Sequence, residues 1–324
     1  MGKSEGAAPS VIAQFGQELA GIAVGEPVTW QRATFVPLIW TTDRDLDVAL
    51  LEEEPGVDVE ELGQGRATVP EIKIRNRSDK FVLVTDGSLV EGAYQNRVIN
   101  VTFLVAPKSE RVVPVSCVEA GRWGGRGLRF KPRRKAPPML RARARREIQA
   151  EAERQGHIGR ANQGRVWRDV ALYLAACGRG SPSENFVEAM VWAEEEVARE
   201  GTLDDLTAEL NRRGEGRTAG VATVWGNRVA AVDLFGLPRL FEKAVGPILT
   251  AYLLDLRLAE LPKGKEAGDG KVVREFLAQL PRFANRRKPT IGVGDELEIS
   301  GPECTGNAVL YKGKLYHMSV FGVV

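Results

Sequence analysis

Short apolar runs that alternate with polar positions dominate the first part of the chain, and turn residues separate them. Examples are "TWQRATFVPLIW", "VDVEEL", "FVLVTDG" and "RVVPVSCVE", which are rich in β-branched residues and bounded by Gly, Pro, Asn or Ser. Alternation with a period of two is typical of strands that bury one face. The pattern predicts a β-rich part over residues 26–122, and short strands in close succession favour an antiparallel sandwich or an open barrel.

The periodicity becomes helical after Trp123. Capping residues and amphipathic spacing predict helices over residues 139–213. Two apolar runs then surround Gly226 and Asn227, a typical two-residue turn, so a β-hairpin is expected to return over residues 219–234. Because an isolated hairpin is marginally stable in water, we expect it to join a larger sheet.

These elements predict an α+β fold in a single large domain. Its parts are expected to be a flexible tail (1–8) and one domain over 9–324, with a β-rich part (26–122), a helical segment (139–213) and a mixed part (219–324).

Composition narrows the class of protein. Of 324 residues, 43% are hydrophobic and 27% are charged, as in ordinary globular proteins. A net charge of +2 argues against a polycation that binds nucleic acid through its overall charge. Three widely spaced cysteines form no disulfide framework, which favours a reducing cytoplasm. No apolar run is long enough to predict a membrane span.

One stretch is strongly basic: residues 126–146 contain ten Arg or Lys and no acidic residue. Phe130 is the only aromatic residue in this stretch that could stack on single-stranded bases. We therefore expect an exposed, solvated loop and helix without specific nucleic-acid recognition.

Residues 85–125 carry a high density of polar side chains between apolar runs. Buried amides and charges are unfavourable unless each finds a partner, so this segment forms either a structural network or a ligand pocket. Asp86, Glu91 and Glu119 are candidate general acids or bases, or ligands of a divalent cation; the alternative is that arginines neutralise them. Cys117 is a candidate nucleophile, with a buried structural thiol as the alternative.

Strand order predicts that these polar residues meet. Consecutive strands with short connections usually neighbour one another, which would bring the two ends of the segment to the same end of a sheet. We therefore predict one cluster that borders a pocket and contains Asp86, Glu91, Gln95, Asn96, Arg97, Glu119 and Arg122.

Three motifs, "GSLVEGAYQNR", "VSCVEAGRW" and "NQGRVW", closely resemble the signature of the ARPP domain family. The name of that family denotes a protein associated with ADP-ribosylglycohydrolase and rhodanese-phosphatase. The resemblance extends over roughly residues 26–321, and the Arg-rich residues 126–146 depart from it. The matching residues are Gly87, Leu89, Gly92, Ala93, Gln95, Asn96, Arg97, Ser116, Cys117, Val118, Glu119, Gly121, Arg122, Trp123, Gln163 and Trp167.

The family name implies an association with enzymes that process ADP-ribose and phosphorylated products, and it brings no site residues of its own. One function class consistent with this is a binder, or a hydrolase, of a nucleotide-like ligand derived from ADP-ribose or NAD. Gln95 and Asn96 would then read a base or ribose, Arg97 and Arg122 would bind phosphates bidentately, and Trp123 would stack. The alternative is a non-catalytic scaffold or a homo-oligomerising module whose polar cluster is structural. An open concavity would favour the ligand; a sealed, fully paired cluster would favour the scaffold.

Overall fold

Helices and antiparallel strands both contribute to the fold. The computed structural model describes residues 9–30, 32–41, 46–62, 70–124, 126–155, 159–258 and 269–322. The helices are α1 (Val11–Ala20), α2 (Pro138–Gln155), α3 (Gln163–Ala176), α4 (Phe186–Glu200), α5 (Thr202–Arg213), α6 (Pro238–Leu258) and α7 (Gly270–Gln279). The strands are β1 (Ile22–Val24), β2 (Val28–Trp30), β3 (Ala33–Trp40), β4 (Val48–Leu50), β5 (Val57–Glu60), β6 (Glu71–Asn76), β7 (Phe81–Val84), β8 (Ser88–Ala93), β9 (Arg97–Ile99), β10 (Phe103–Val105), β11 (Ser109–Cys117), β12 (Arg126–Lys135), β13 (Thr218–Trp225), β14 (Arg228–Phe235), β15 (Ala284–Arg286), β16 (Asp295–Gly301), β17 (Cys304–Tyr311) and β18 (Lys314–Gly322).

Nine strands from the two ends of the chain form one antiparallel sheet. Its order is β1-β3-β13-β14-β18-β17-β16-β15, with β2 paired to β3. Strands β13 and β14 are the predicted hairpin, in which Trp225 lies opposite Arg228 across the turn. Because β13 also pairs with β3 and β14 with β18, the hairpin lies inside the sheet. The prediction that it joins a larger sheet is confirmed.

Six strands from the middle of the chain close into a barrel in the order β11-β6-β5-β12-β8-β9. Apolar side chains that include Ile72, Val90 and Val113 form its buried cluster. Closure removes the unpaired strand edges that an open barrel would expose. A separate three-stranded sheet, β10-β7-β4, contains one parallel pair, β4 with β7.

Helices cover both the sheet and the barrel. Helix α6 packs on one face of the nine-stranded sheet, and α1 and α7 pack on the other. Helices α3 and α4 form a further buried cluster with Leu89 and Val98 of the barrel and Leu254 of α6. Over the described ranges, no helix combines the length and apolar character needed to cross a membrane.

Helix α2 lies where the barrel and the nine-stranded sheet meet, since it contacts β17 and β18 and its Ile148 belongs to the buried cluster of the barrel. Strong helix formers follow Pro138, a residue favoured in the first helical turn. Arg141 and Arg145, four residues apart and therefore on one face, are only 4% and 2% exposed. An apolar periodicity could not reveal this buried face, because arginines form part of it.

The predicted α+β class with a β-rich N-terminal part is confirmed, and the barrel is closed rather than open. The prediction for the basic stretch was wrong in two respects. Residues 126–135 form strand β12 instead of a loop, because they pair with β8 and β5 to close the barrel. Lys135, Arg141 and Arg145 are buried, although Arg133 and Arg143 are exposed as expected. The predicted tail, residues 1–8, lies outside the described residues.

Candidate functional site

The predicted polar residues do not form one cluster. Most of them meet where the loop after β8 approaches the loop after β11, whereas Asp86 and Glu91 lie elsewhere. We call this group the Glu119 cluster; its members are Gln95, Asn96, Arg97, Cys117, Glu119 and Arg122.

Protein donors occupy both carboxylate oxygens of Glu119. Arg122 binds them bidentately, with Nε 2.9 Å from Oε1 and Nη2 2.6 Å from Oε2. The Asn96 backbone N–H donates to Oε2 at 3.2 Å, and the Ser183 hydroxyl donates to Oε1 at 3.0 Å. Burial raises the pKa of Glu119, but these donors, with Arg122 first, bring it below its ordinary value. Glu119 is therefore an ionised carboxylate that the protein itself satisfies.

The two amides of the cluster are also engaged within the protein. Gln95 Nε2 donates to the Glu119 carbonyl oxygen at 2.8 Å, and its Oε1 accepts from Arg97 Nη1 at 2.9 Å. Asn96 Oδ1 accepts from the Gly92 N–H at 2.9 Å, and Asn96 Nδ2 donates to Asn185 at 3.0 Å. These contacts leave the amides little capacity to read a nucleobase.

Arg97 and Glu61 form the incomplete part of this region. Both side chains are fully buried, and Arg97 Nη2 lies 3.7 Å from Glu61 Oε1. In the described part of the chain, Glu61 Oε2 and two guanidinium nitrogens of Arg97 have no hydrogen-bond partner. Burial raises the pKa of Glu61 and lowers that of Arg97, which is the direction expected for charges removed from water.

Cys117 and Trp123 complete the predicted residues near this cluster. Burial raises the pKa of Cys117, so the thiol is protonated near neutral pH, and its Sγ donates to the Glu119 carbonyl oxygen at 3.2 Å. Gln163 of the "NQGRVW" motif binds the backbone N–H and C=O of Cys117 at 2.8 and 2.7 Å. Trp123 is 55% exposed, and its ring centroid lies 5.7 Å from the guanidinium carbon of Arg97.

Asp86 belongs to a second group, the Arg141 cluster, in which Arg141 bridges two aspartates. Its guanidinium donates to Asp233 through two bonds of 2.7 Å and to Asp86 through two of 3.2 Å. Gly87, at φ +79°, makes room for this arginine, since a Cβ there would lie 2.6 Å from Arg141 Cδ. The members of the cluster are Asp86, Thr102, Arg141, Asp233, Tyr252, His317 and Ser319.

The Arg141 cluster joins three parts of the fold. Asp86 follows β7, Arg141 lies on α2, and Asp233 lies on β14 of the nine-stranded sheet. Burial raises the pKa of both aspartates, but Arg141 brings each well below its ordinary range. The adjacent cavity, lined by Asp86 and Arg141, has a volume of about 10 Å³, which is room for about one water molecule.

A larger cavity of about 250 Å³, the Lys135 cavity, opens beside the Arg141 cluster. Lys135 is 4% exposed, and its Nζ donates to the Thr85 hydroxyl at 2.6 Å. Burial lowers the pKa of Lys135 to about 8, and the positive charge of Arg141 acts in the same direction. The cavity is lined by Leu50, Glu52, Glu53, Thr85, Pro132, Arg133, Arg134, Lys135, Phe235, Lys243, Ala244, Pro247 and Ile248.

Glu91 lies near the wall of the Lys135 cavity and not in the Glu119 cluster. Arg134, which lines the cavity, donates to Glu91 and also binds Glu194 bidentately at 2.7 and 2.8 Å. Among the five principal cavities of the described residues, none is lined by a member of the Glu119 cluster. The Lys135 cavity is therefore separate from the Glu119 cluster.

Sequence reasoning did not identify Lys135, Arg141, Asp233 or His317 as site residues. A charged or imidazole side chain within an apolar strand indicates a buried polar partner, as for Asp233 in "AAVDLFG" and His317 in "LYHMSV". The sequence does not single out Lys135 and Arg141 in this way, because they lie in the stretch 126–146, which contains ten Arg or Lys.

In the sequence, Asp86, Glu91 and Glu119 were candidate ligands of a divalent cation. No group of three His, Cys, Asp or Glu side chains gathers into an arrangement suited to a metal ion within the described ranges.

A closed barrel, a nine-stranded sheet and an Arg-bridged junction define an α+β protein, and its described residues include buried ionic clusters beside a cavity rich in cationic side chains. Residues 21–321 match the model of the ARPP-1 family, described as the ARG and Rhodanese-Phosphatase-superfamily-associated Protein domain. The match covers nearly the whole chain, and the chain belongs to this family. No curated protein matches the chain, and no solved structure matches it.

Proposed function

We propose that this protein binds a small phosphorylated ligand of the ADP-ribose type in the Lys135 cavity. The observation that carries the proposal is a concave surface with an excess of cationic side chains, of which Lys135 is buried. Cationic groups that converge on a cavity attract phosphate, and guanidinium groups can bind it bidentately. The family description supports the choice of ADP-ribose only by association.

The roles of the cationic side chains follow from their present partners. Arg134 is already held by Glu91 and Glu194, so it shapes the wall. Arg133 and Lys243 are exposed at the cavity, and the contact of Lys243 with Glu53 is loose, at 3.8 Å, so both are the candidates for contact with phosphate.

The volume of the Lys135 cavity limits what can enter it. About 250 Å³ lies below the ~300–1,000 Å³ that is usual for pockets enclosing drug-sized ligands. A phosphoribosyl group fits that scale better than a complete dinucleotide. Phe235, Pro247 and Ile248 provide an apolar surface for the sugar, while a base would remain near the mouth.

The Glu119 cluster is better explained as a structural network, which is the alternative drawn from the sequence. Both oxygens of Glu119 and both amides accept or donate bonds within the protein. A carboxylate with a lowered pKa and a thiol with a raised pKa are also poorly suited to serve as general base and nucleophile.

Calorimetric titration of the full chain with ADP-ribose, ribose 5-phosphate and inorganic phosphate tests the proposal. We expect ADP-ribose and ribose 5-phosphate to bind. The double variant Arg133→Ala/Lys243→Ala should weaken binding about tenfold or more, since charge-assisted hydrogen bonds contribute roughly 1.5–3 kcal/mol each. The control Arg146→Ala, an exposed arginine of α2 outside the cavity, should bind as the wild type does.

A variant of the Glu119 cluster tests whether the ligand binds there instead of in the Lys135 cavity. A folded Glu119→Gln variant that loses binding, together with a cavity double variant that keeps it, would move the site to the Glu119 cluster.

A further inference from the structure

We infer that Lys135 is a reactive amine that forms an imine with the aldehyde of an open-chain phosphorylated sugar held in the Lys135 cavity. The inference rests on the proposed function, because it requires the sugar to enter that cavity. It goes beyond binding by assigning a covalent step to a named atom, Lys135 Nζ.

The surroundings of Lys135 Nζ differ from those of a structural lysine. Buried lysines are usually paired with a carboxylate. Here Nζ donates to the neutral Thr85 hydroxyl at 2.6 Å, and no carboxylate oxygen of the described residues lies within 4.0 Å of it. Lys135 and Thr85 both line the cavity, so the amine borders the space that a ligand would occupy.

A chain of hydroxyl groups connects this amine with the surface. Thr85 Oγ1 lies 3.0 Å from Ser88 Oγ, and Ser88 Oγ donates to Glu52 Oε1 at 2.7 Å. Ser88 and Thr85 are buried, whereas Glu52 is exposed and lines the cavity. Each hydroxyl can accept one proton and donate another, so the chain can carry a proton from Lys135 to Glu52.

Several charged groups surround Lys135, and together with burial they lower the pKa of its amine. Burial and Arg141 lower the pKa of Lys135, while Asp233, Asp86 and Glu52 raise it, giving a value of about 8. The nearby His317 is held neutral, because burial lowers its pKa. At pH 7 about a tenth of Lys135 is then unprotonated, roughly 200-fold more than for an ordinary lysine. Only the unprotonated amine is a nucleophile.

The proposed step balances without an oxidant or reductant. Nζ attacks the aldehyde carbon and forms a C–N bond, and the carbonyl oxygen acquires a proton to give a carbinolamine. Loss of that hydroxyl as water, with both amine hydrogens removed overall, leaves the C=N bond. Thr85 is positioned to accept and return the protons, since it is the direct partner of Nζ.

Reductive trapping tests this inference on the full chain. The protein is incubated with ribose 5-phosphate and sodium cyanoborohydride, and the modified lysines are located by peptide mass spectrometry. We expect the Lys135 peptide to be labelled at least about tenfold faster at pH 7 than the exposed Lys131, given its larger neutral fraction. Excess inorganic phosphate should protect Lys135 and not Lys131.

Matched variants separate the covalent step from binding. Lys135→Arg keeps the positive charge and should abolish the specific adduct, whereas Lys131→Arg should leave it unchanged. Ser88→Ala interrupts the hydroxyl chain and should slow trapping at pH 7. The affinity for ribose 5-phosphate measured by calorimetry should stay unchanged. This variant also keeps the test decisive if Lys135→Arg fails to fold.

Two results would overturn the inference in distinguishable ways. If ribose 5-phosphate binds in the cavity but labels Lys135 no faster than Lys131, the imine assignment fails and the proposed binding function stands. If calorimetry detects no binding of ribose 5-phosphate or ADP-ribose, the proposed function fails together with the imine.

Discussion

The Glu119 cluster and the Arg141 cluster both bury arginines against carboxylates, but they differ in what they connect. The Glu119 cluster joins two neighbouring loops of one barrel to the segment just before α4, through Ser183 and Asn185. The Arg141 cluster joins α2 to residues that follow β7 and lie on β14, more than 50 residues away on either side. One arrangement holds two barrel loops to the start of α4, whereas the other secures the junction between barrel and sheet.

Their surroundings differ as well. In the Glu119 cluster the ionised carboxylate has four donors and none of the principal cavities of the described residues touches it. Beside the Arg141 cluster, Lys135 and Arg145 add buried positive charge. Burial lowers the pKa of Lys135 to about 8 and that of Arg145 to about 10. The fully hydrogen-bonded carboxylate of Glu119 favours stability, and an excess of buried charge beside a cavity favours binding or reactivity.

The largest effect expected is that of Arg141→Met, which removes the bridge between Asp86 and Asp233. Two buried carboxylates would lose their main counter-charge, so unfolding free energy should fall by about 3–5 kcal/mol. Chemical denaturation monitored by circular dichroism measures this loss. Arg146→Met, on the exposed face of the same helix, should change stability by less than about 0.5 kcal/mol. Equal losses in the two variants would contradict the role given to the Arg141 cluster.

For Glu119→Gln we expect the free energy of unfolding to fall by about 2–3 kcal/mol. The amide NH2 group would then face hydrogen-bond donors that in the wild type bind a carboxylate oxygen. In the wild type, the folded pKa of Glu119 lies below the unfolded one. Its contribution is therefore present above the unfolded pKa, about 4.3, and is lost as pH falls through the folded value. Denaturant titrations at pH 7 and pH 3 should show the difference between variant and wild type shrinking in acid. The control Glu110→Gln, whose side chain is 56% exposed, should differ little at either pH.

The contrast between the clusters also shows what the sequence could predict. Local periodicity identified most strands of the first part, the hairpin at Gly226 and the meeting of Gln95 with Glu119, because these features depend on neighbours in sequence or on consecutive strands. Asp86 was misplaced because its partners Arg141 and Asp233 are brought to it only by tertiary packing.

Strand β12 shows the same limit at the level of secondary structure. Its sequence, "RGLRFKPRRK", has little β-propensity and contains a proline. The strand forms because β5 and β8 offer partners that close the barrel. Closure, in turn, places Lys135 at the cavity, which no local pattern indicates.

The next effect should be stabilising, and it concerns the helix that carries Arg141. Asp255 accepts from the Met139 N–H at 2.7 Å and from the Tyr173 hydroxyl, and burial raises its pKa to about 7. Because the folded pKa exceeds the unfolded one, near 3.9, the folded state loses stability as pH rises from about 4 to about 7. Asp255→Asn can keep both contacts without a charge if the amide oxygen accepts from the Met139 N–H and the amide nitrogen donates to the Tyr173 hydroxyl oxygen.

We expect Asp255→Asn to be about 2 kcal/mol more stable than the wild type at pH 8 and to differ little at pH 4. A pKa raised by about three units can destabilise the folded wild type by at most about 4 kcal/mol, so the expected gain lies within that limit. Thermal denaturation across this pH range measures the difference. Asp79→Asn, with a side chain that is 90% exposed, is the control and should follow the wild type at every pH. A variant that is less stable than the wild type at pH 8 would show that the charge of Asp255 helps to hold α2.

The smallest effect is expected for Trp123→Ala at the edge of the Glu119 cluster. Trp123 is 55% exposed, with its ring 5.5 Å from that of Tyr94 and near Arg97, so its loss should reduce stability by no more than about 1 kcal/mol. Calorimetry is the sharper measurement, because Trp123 does not line the Lys135 cavity. ADP-ribose should bind the variant as it binds the wild type if the base lies at the mouth of that cavity. A loss of about tenfold or more, the scale of a lost stacking contact, would instead place the base beside the Glu119 cluster and reverse the roles given to the two regions.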